Sequence, residues 1–345
     1  MKLLYKGLAL SAVFALAISC NPSEMNPDNA VPEGMDFAQG DNGRNCYSMK
    51  VLERQLKENP GLANRLAAIE KHTNKVFANK AGGNGGGKGK PGGGGGGTGG
   101  DGTPFDGTVE IPVVVNVIYS NADENISMAQ IQSQIDILNA DFSASNNDLN
   151  QVPSLFSSSV GDMDIHFTLA TVNRKSSNKT SWGTRDAMKS SKRGGIDATD
   201  PENNLNIWVC EIGGGILGYA QFPGGSASTD GVVIGPRFFG STGYVVSPFD
   251  EGRTATHEVG HWLNLRHIWG DGGCGVDDFV DDTPLSDGPN YGCPSFPTVR
   301  CGTTDQTMNY MDYVDDACMY MFTGGQVDRS RALFASGGVR ETFVQ

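Results

Sequence analysis

The sequence predicts an α+β fold carrying a detached N-terminal segment, on three observations. Residues 82–104 are mostly glycine and split the chain. β-branched, apolar runs of strand length follow the split, interleaved with amphipathic helical stretches. The last of these stretches before a cysteine-rich region carries His257 and His261, two of only five histidines in 345 residues.

The elements follow in order. Lys2 and Lys6 precede an apolar run, Leu8 to Ile18, too short to span a bilayer comfortably. It ends in Ala17-Ile18-Ser19-Cys20, which resembles a bacterial lipoprotein signal with Cys20 as the lipidated residue. An ordinary signal peptide cut nearby is the alternative. Residues 1–20 are thus read as an export signal, and 21–81 as a polar tether followed by a helical piece. Val51, Leu52 and Leu56 share one helical face, Pro60 breaks the run, and Leu62, Leu66, Ile69 and Phe77 line a second face. This piece is too small to hold a core alone. The glycine tract from 82 to 104 is a flexible linker, and Lys88 and Lys90 make it protease-sensitive.

Residues 105–345 form the globular part. Val109 to Tyr119 reads as a central strand. Ser127 and Gln130 form a capping box for a helix bearing Ile131, Ile135, Leu138 and Phe142. Ile165, Phe167 and Leu169 alternate as a strand; Leu205 to Ile212, Ile216 to Phe222 and Val232 to Gly235 follow, broken by Gly213-Gly214-Gly215. Thr323 and Gln326 cap a last helix. The formal net charge of −13 argues against a nucleic-acid partner.

His257-Glu258-Val259-Gly260-His261 places two imidazoles four apart on one helix face, where both reach one ion. Zinc in a catalytic site takes three protein ligands. His267 is the third only if the chain turns sharply after His261. Glu258 lies beside the pair as a base for water activated by zinc.

These residues, with Asp277 to Pro284 and Asn309-Tyr310-Met311-Asp312-Tyr313, resemble the metzincin peptidases, in the pappalysin or cytophagalysin branch. The resemblance covers about 105–345. It implies a two-lobed zincin with a twisted mixed sheet, an active-site helix and a loop-rich C-terminal lobe. It also implies hydrolysis of internal peptide bonds in protein or peptide substrates. Met311 then lies beneath the metal, and Tyr313 stabilises the oxyanion. Metzincins usually have glycine where this chain has Asn264. Asn is the next most tolerant residue for the left-handed turn required there.

Further expectations rest on the same comparison. Asp277, Asp278, Asp281 and Asp282 repel one another unless a cation joins them. Asp278, the Val280 carbonyl and Thr283 are the calcium ligands expected, a solvated acidic loop being the alternative. Spacing leaves three pairings open among the four late cysteines; similarity to the family implies Cys274–Cys301 and Cys293–Cys318. Gly215, Leu217 and Tyr219 belong to a stretch resembling the edge strand that binds substrate backbone. Asp316 at the base of a pocket favours Arg or Lys just after the cut bond, or else caps a loop. Cys46 is a thiol able to occupy the zinc and hold a precursor latent, unless it pairs with Cys210 or is inert. The protein is expected to be exported and held at a membrane through lipid on Cys20, with the catalytic part released as a secreted form. No obligate protein partner is evident.

Overall fold

A computed structural model describes residues 43–82 and 101–345. Cys20 with the rest of the expected export signal, the expected tether up to 42 and the glycine tract from 83 to 100 lie outside the described residues.

The N-terminal segment forms α1 (Ser48–Glu58) and α2 (Pro60–Gly82). Pro60 opens the second helix, where its missing N–H costs nothing. Val51 and Leu52 are buried, but Leu56, expected on the same face, is 36% exposed. In α2 the buried apolar positions are Leu62, Ile69 and Val76, with Thr73 buried between the last two, while Leu66 is only partly buried. These side chains pack against the globular part, which supplies the core the segment lacks.

The sheet holds β1 (Val109–Tyr119), β2 (Ile165–Ser176), β3 (Leu205–Val209), β4 (Gly218–Ala220) and β5 (Val232–Ile234), in the order β2-β1-β3-β5-β4. All neighbours are parallel except β5 and β4. β3 and β4 are shorter than expected, because Gly213, Gly214 and Gly215 all turn through positive φ between them. One face buries Val113, Val115, Ile207 and Ile234 against α3 (Met128–Phe142) and α4 (Arg253–Trp262). The other buries Ile118, Trp208, Tyr219 and Val233 with Trp182 and Met188.

The Ser127 hydroxyl caps α3 by accepting from the Gln130 N–H, but the box is not closed. The Gln130 amide instead donates to the Pro236 and Phe239 carbonyls, at 2.9 Å each, and so secures the loop after β5. Thr323 and Gln326 do close a box at α5 (Gly324–Arg331). After α4 the chain is mostly loop, with a short hairpin of β6 (Val299–Arg300) and β7 (Thr303–Thr304). Disulfides Cys274–Cys301 and Cys293–Cys318 staple this region. No described helix is long and apolar enough to cross a membrane.

Candidate active site

α4 carries His257, Glu258 and His261, all buried. The helix stops at Trp262, and Asn264 adopts φ +72°. That left-handed residue reverses the chain and lets the Leu265 N–H donate to the Gly260 carbonyl. The turn brings His267 round to the other two rings, as the sequence requires.

Each imidazole is oriented through Nδ1. His257 pairs with the Tyr310 carbonyl at 2.7 Å, His261 with the Leu265 carbonyl at 2.8 Å, and His267 with Asp271 Oδ1 at 2.6 Å. The Nε2 atoms are therefore turned to one point. Those of His261 and His267 are 3.1 Å apart, and that of His257 is buried with no hydrogen-bond partner. With the Cys46 thiol, the donor atoms lie within 4.8 Å of one another. Burial, and then the neighbouring rings, push His257 and His261 well below the usual histidine range, so both rings are neutral. An orphaned buried nitrogen, two facing lone pairs and a soft thiol fit a tetrahedral zinc ion.

Asn309 to Tyr313 run beneath this centre. Tyr310 supplies the carbonyl that orients His257, and Met311 is fully buried. A Cβ on Gly260 would lie 2.5 Å from Met311 Sδ, which explains glycine inside the zinc helix. Trp269 stacks on His267, with ring centroids 4.4 Å apart. The Tyr313 ring stands edge-on to both, at 4.8 Å.

Residues 44–48 lie along the free edge of β4. The Leu217 N–H donates to the Asn45 carbonyl at 3.0 Å, and the Tyr47 N–H donates to the Gly218 carbonyl at 3.1 Å. Cys46 and Gly218 bridge in parallel sense. The Ser48 hydroxyl accepts from the Ala220 N–H at 2.7 Å and donates to Glu258 Oε2 at 2.6 Å. Cys46 Sγ is 3.5 Å from the same oxygen. The Tyr313 hydroxyl donates to the Cys46 carbonyl at 3.3 Å. Burial raises Glu258 to about 7 against the lowering effect of Ser48, Cys46 and Arg44. Cys46 and Cys210 are both free thiols, so no disulfide joins them. Of the expected edge residues, Leu217 offers backbone outward, Gly215 stands in the preceding turn, and Tyr219 turns its ring inward to Asp186.

Asp316 is fully buried. Its Oδ2 accepts from the Glu251 and Arg253 N–H groups at the start of α4, while Oδ1 receives Arg44 at 2.5 Å. In the acidic loop, Asp278, Thr283 and Val280 converge: the Thr283 hydroxyl is 2.9 Å from both Asp278 oxygens and 2.7 Å from the Val280 carbonyl. Asp282 is not part of this group; it accepts from the Thr323 hydroxyl and the Gly325 N–H. Sequence reasoning assigned no role to Arg44, Ser48, Trp269 or Asp271. Only the charge opposition of Arg44 and Asp316 left any trace in the sequence.

Comparison with known proteins places relatives around this geometry. The profile of the family described as Pregnancy-associated plasma protein-A (Peptidase_M43) matches residues 192–335. Extracellular metalloprotease 1 of Coccidioides posadasii (strain C735) is 33% identical over 237 residues, 66% of this chain and 77% of that protein. Mature mirolysin of Tannerella forsythia, solved in complex with a cleaved peptide, is 47% identical. It covers 69% of this chain and 96% of its own, with a TM-score of 0.68. A promirolysin mutant is 40% identical, covering 87% and 97%, with a TM-score of 0.75.

Proposed function

Because the chain belongs to the Peptidase_M43 family, a branch of the metzincin-type zinc metalloproteases, we propose that the cluster around His257 is its catalytic centre and that residues 21–81 are a prosegment shutting it. The protein is a zinc endopeptidase made as a precursor and exported. In this reading 105–345 is the peptidase domain and 82–104 the activation linker. His257, His261 and His267 hold the zinc, which when bound supplies the Lewis acidity that makes water a nucleophile near neutrality. Glu258 takes the water's proton and returns it to the leaving amine. The Tyr313 hydroxyl, now on the Cys46 carbonyl, is placed to donate to the oxyanion of a substrate carbonyl. Leu217 and Gly218 pair with substrate backbone at the edge of β4.

The observation that carries this reading is a double one. Arg44 is inserted against Asp316 while Cys46, two residues on, joins the three histidines. Arg44 therefore acts as a stand-in for the Arg or Lys that a substrate presents after its cut bond. In a substrate that residue follows the reacting carbonyl; here it precedes the zinc-facing residue. The prosegment runs through the cleft backwards and presents no bond to Glu258. Cleavage-site profiling of the matured enzyme tests the assignment. Arg and Lys should dominate just after the cut bond, and Asp316→Asn, which still accepts from the α4 N–H groups, should lose that bias. An apolar preference at this position in wild type would reject it.

Calcium belongs to the same proposal. Asp278, the Val280 carbonyl and Thr283 offer hard oxygen donors on one loop. Lipid on Cys20 would tether the precursor, and mass spectrometry of the mature N-terminus decides between lipid and plain secretion.

A further inference from the structure

A second charged residue of the prosegment, half-buried, pairs with the peptidase domain far along the chain from Arg44. Glu70 of α2 receives both terminal nitrogens of Arg329, at 2.8 and 2.5 Å. The Asn264 amide donates to the same carboxylate at 3.3 Å. Arg329 is 1% exposed, and its Nε is separately fixed on the Asn264 carbonyl at 2.8 Å. Arg266 stands beside it with a buried Nε that has no partner. Both guanidiniums lie over the Phe279 ring, at 5.1 and 5.2 Å. Phe279 has φ +68°, a conformation bulky side chains rarely adopt. Such strain persists only where surroundings enforce it, and it clusters at ligand sites.

Removing the prosegment strips this cradle of its acceptor and leaves two adjacent cations. The other carboxylates that face Arg266 are committed: Asp271 holds His267, and Asp278 holds Thr283. The cradle also has a defined place along the cleft. From Arg44 onward the prosegment meets Leu217, Gly218 and Ala220, then Phe222, then the Gly224 carbonyl through Arg65, and then the cradle through Glu70. Phe222 lies 5.3 Å from the His261 ring. Glu70 thus lies past the zinc centre on the side opposite Asp316.

We propose that Arg329, Arg266 and Asn264 form a carboxylate-binding subsite in the mature enzyme, which takes an acidic side chain of the substrate on the part preceding the cut bond. This rests on the assignment of Asp316 to the residue after that bond. Glu70 fills the subsite in the precursor as Arg44 fills the Asp316 pocket. A bidentate guanidinium with a fixed Nε is pre-organised for a carboxylate and discriminates against the neutral amide.

Binding tests this without turnover. Fluorescent peptides share Arg after the cut bond and differ only in Glu or Gln at each of three positions before it. They are titrated against zinc-loaded Glu258→Gln enzyme, cleaved in trans at the linker and freed of its prosegment. At one position the Glu peptide should bind about tenfold more tightly, an advantage that shrinks with added salt. The advantage should fall at least about threefold in Arg266→Gln. Equal affinities at all three positions overturn the proposal, as does an advantage that Arg266→Gln leaves intact. A labelled peptide of residues 60–82 that binds better than its Glu70→Gln version, with no Glu preference among the substrate peptides, would confine the cradle to the prosegment and also overturn it. Changing the shared Arg to Ala tests the Asp316 pocket separately. If that exchange has no effect, the pocket reading fails while the Glu-to-Gln comparison still decides this one.

Discussion

Glu258 and Asp278 are both buried carboxylates raised to about 7, but their proposed roles differ. For Glu258 the role is catalytic. Glu258→Gln removes the proton acceptor and leaves the three imidazoles, so the variant should bind one zinc per chain and lose about 10³-fold or more in kcat. Zinc analysis beside a peptide assay checks it, and near-normal turnover would remove Glu258 from the mechanism. For Asp278 the consequence is linkage. Burial is the main cause of its shift, with Asp277 adding to it. Without a cation the folded state keeps a proton that the unfolded state loses near the ordinary carboxylate value of about 4. Stability contributed by this group is therefore present at low pH and declines as pH rises toward 7. Calcium must displace the proton, so the rise in melting temperature that calcium produces should be larger at pH 8 than at pH 6. A calcium response independent of pH would count against Asp278 as a ligand. At this scale the sequence was readable wherever one residue type suits one task, as with Asn264 in its left-handed turn. Arg44 and Ser48 were not, because the partners of both, Asp316 and Glu258, lie more than two hundred positions away.

The zinc helix, the turn beneath it and the edge strand act as elements, and each resists a specific change. Gly260→Ala drives a methyl into Met311, so it should destabilise the domain by about 1–3 kcal/mol and weaken zinc binding together. Urea unfolding and zinc competition read the two effects, and a Gly260→Ala domain as stable as wild type would mean that the Met311 side chain yields freely. The edge of β4 is held by Asn45, Tyr47 and Ser48 as well as by Cys46, so latency is distributed. Cys46→Ala precursor should show activity before processing, yet less than the mature enzyme, and Arg44→Ala added to it should raise that activity further. A Cys46→Ala precursor as silent as wild type, with zinc loaded, would show that the thiol does not gate the site. β1 and β5 could be read from β-branched runs alone. The place of β5 between β3 and β4 could not, because three-residue strands choose partners by long-range packing that no local pattern encodes.

On the scale of the molecule, the prosegment behaves as part of the fold. Leu62 and Ile69 sit in apolar clusters shared with the peptidase domain, and Lys80 pairs with Asp328 beyond them. Severing the linker leaves every one of these contacts in place. A nicked precursor should therefore elute as one species in gel filtration and gain full activity only as the severed prosegment is degraded or diluted away. Immediate full activity on nicking would mean that the docking is weak. The backward course of residues 44–48 has a further effect, on reaction order. In the proposed reading a chain whose own cleft is covered by residues 44–48 does not cut itself, so its activation needs a molecule whose cleft is already open. Each enzyme freed can then open others. Maturation from purified precursor should follow a sigmoidal course whose lag shortens with concentration or with a trace of mature enzyme, whereas a cis reaction would start at once at any dilution.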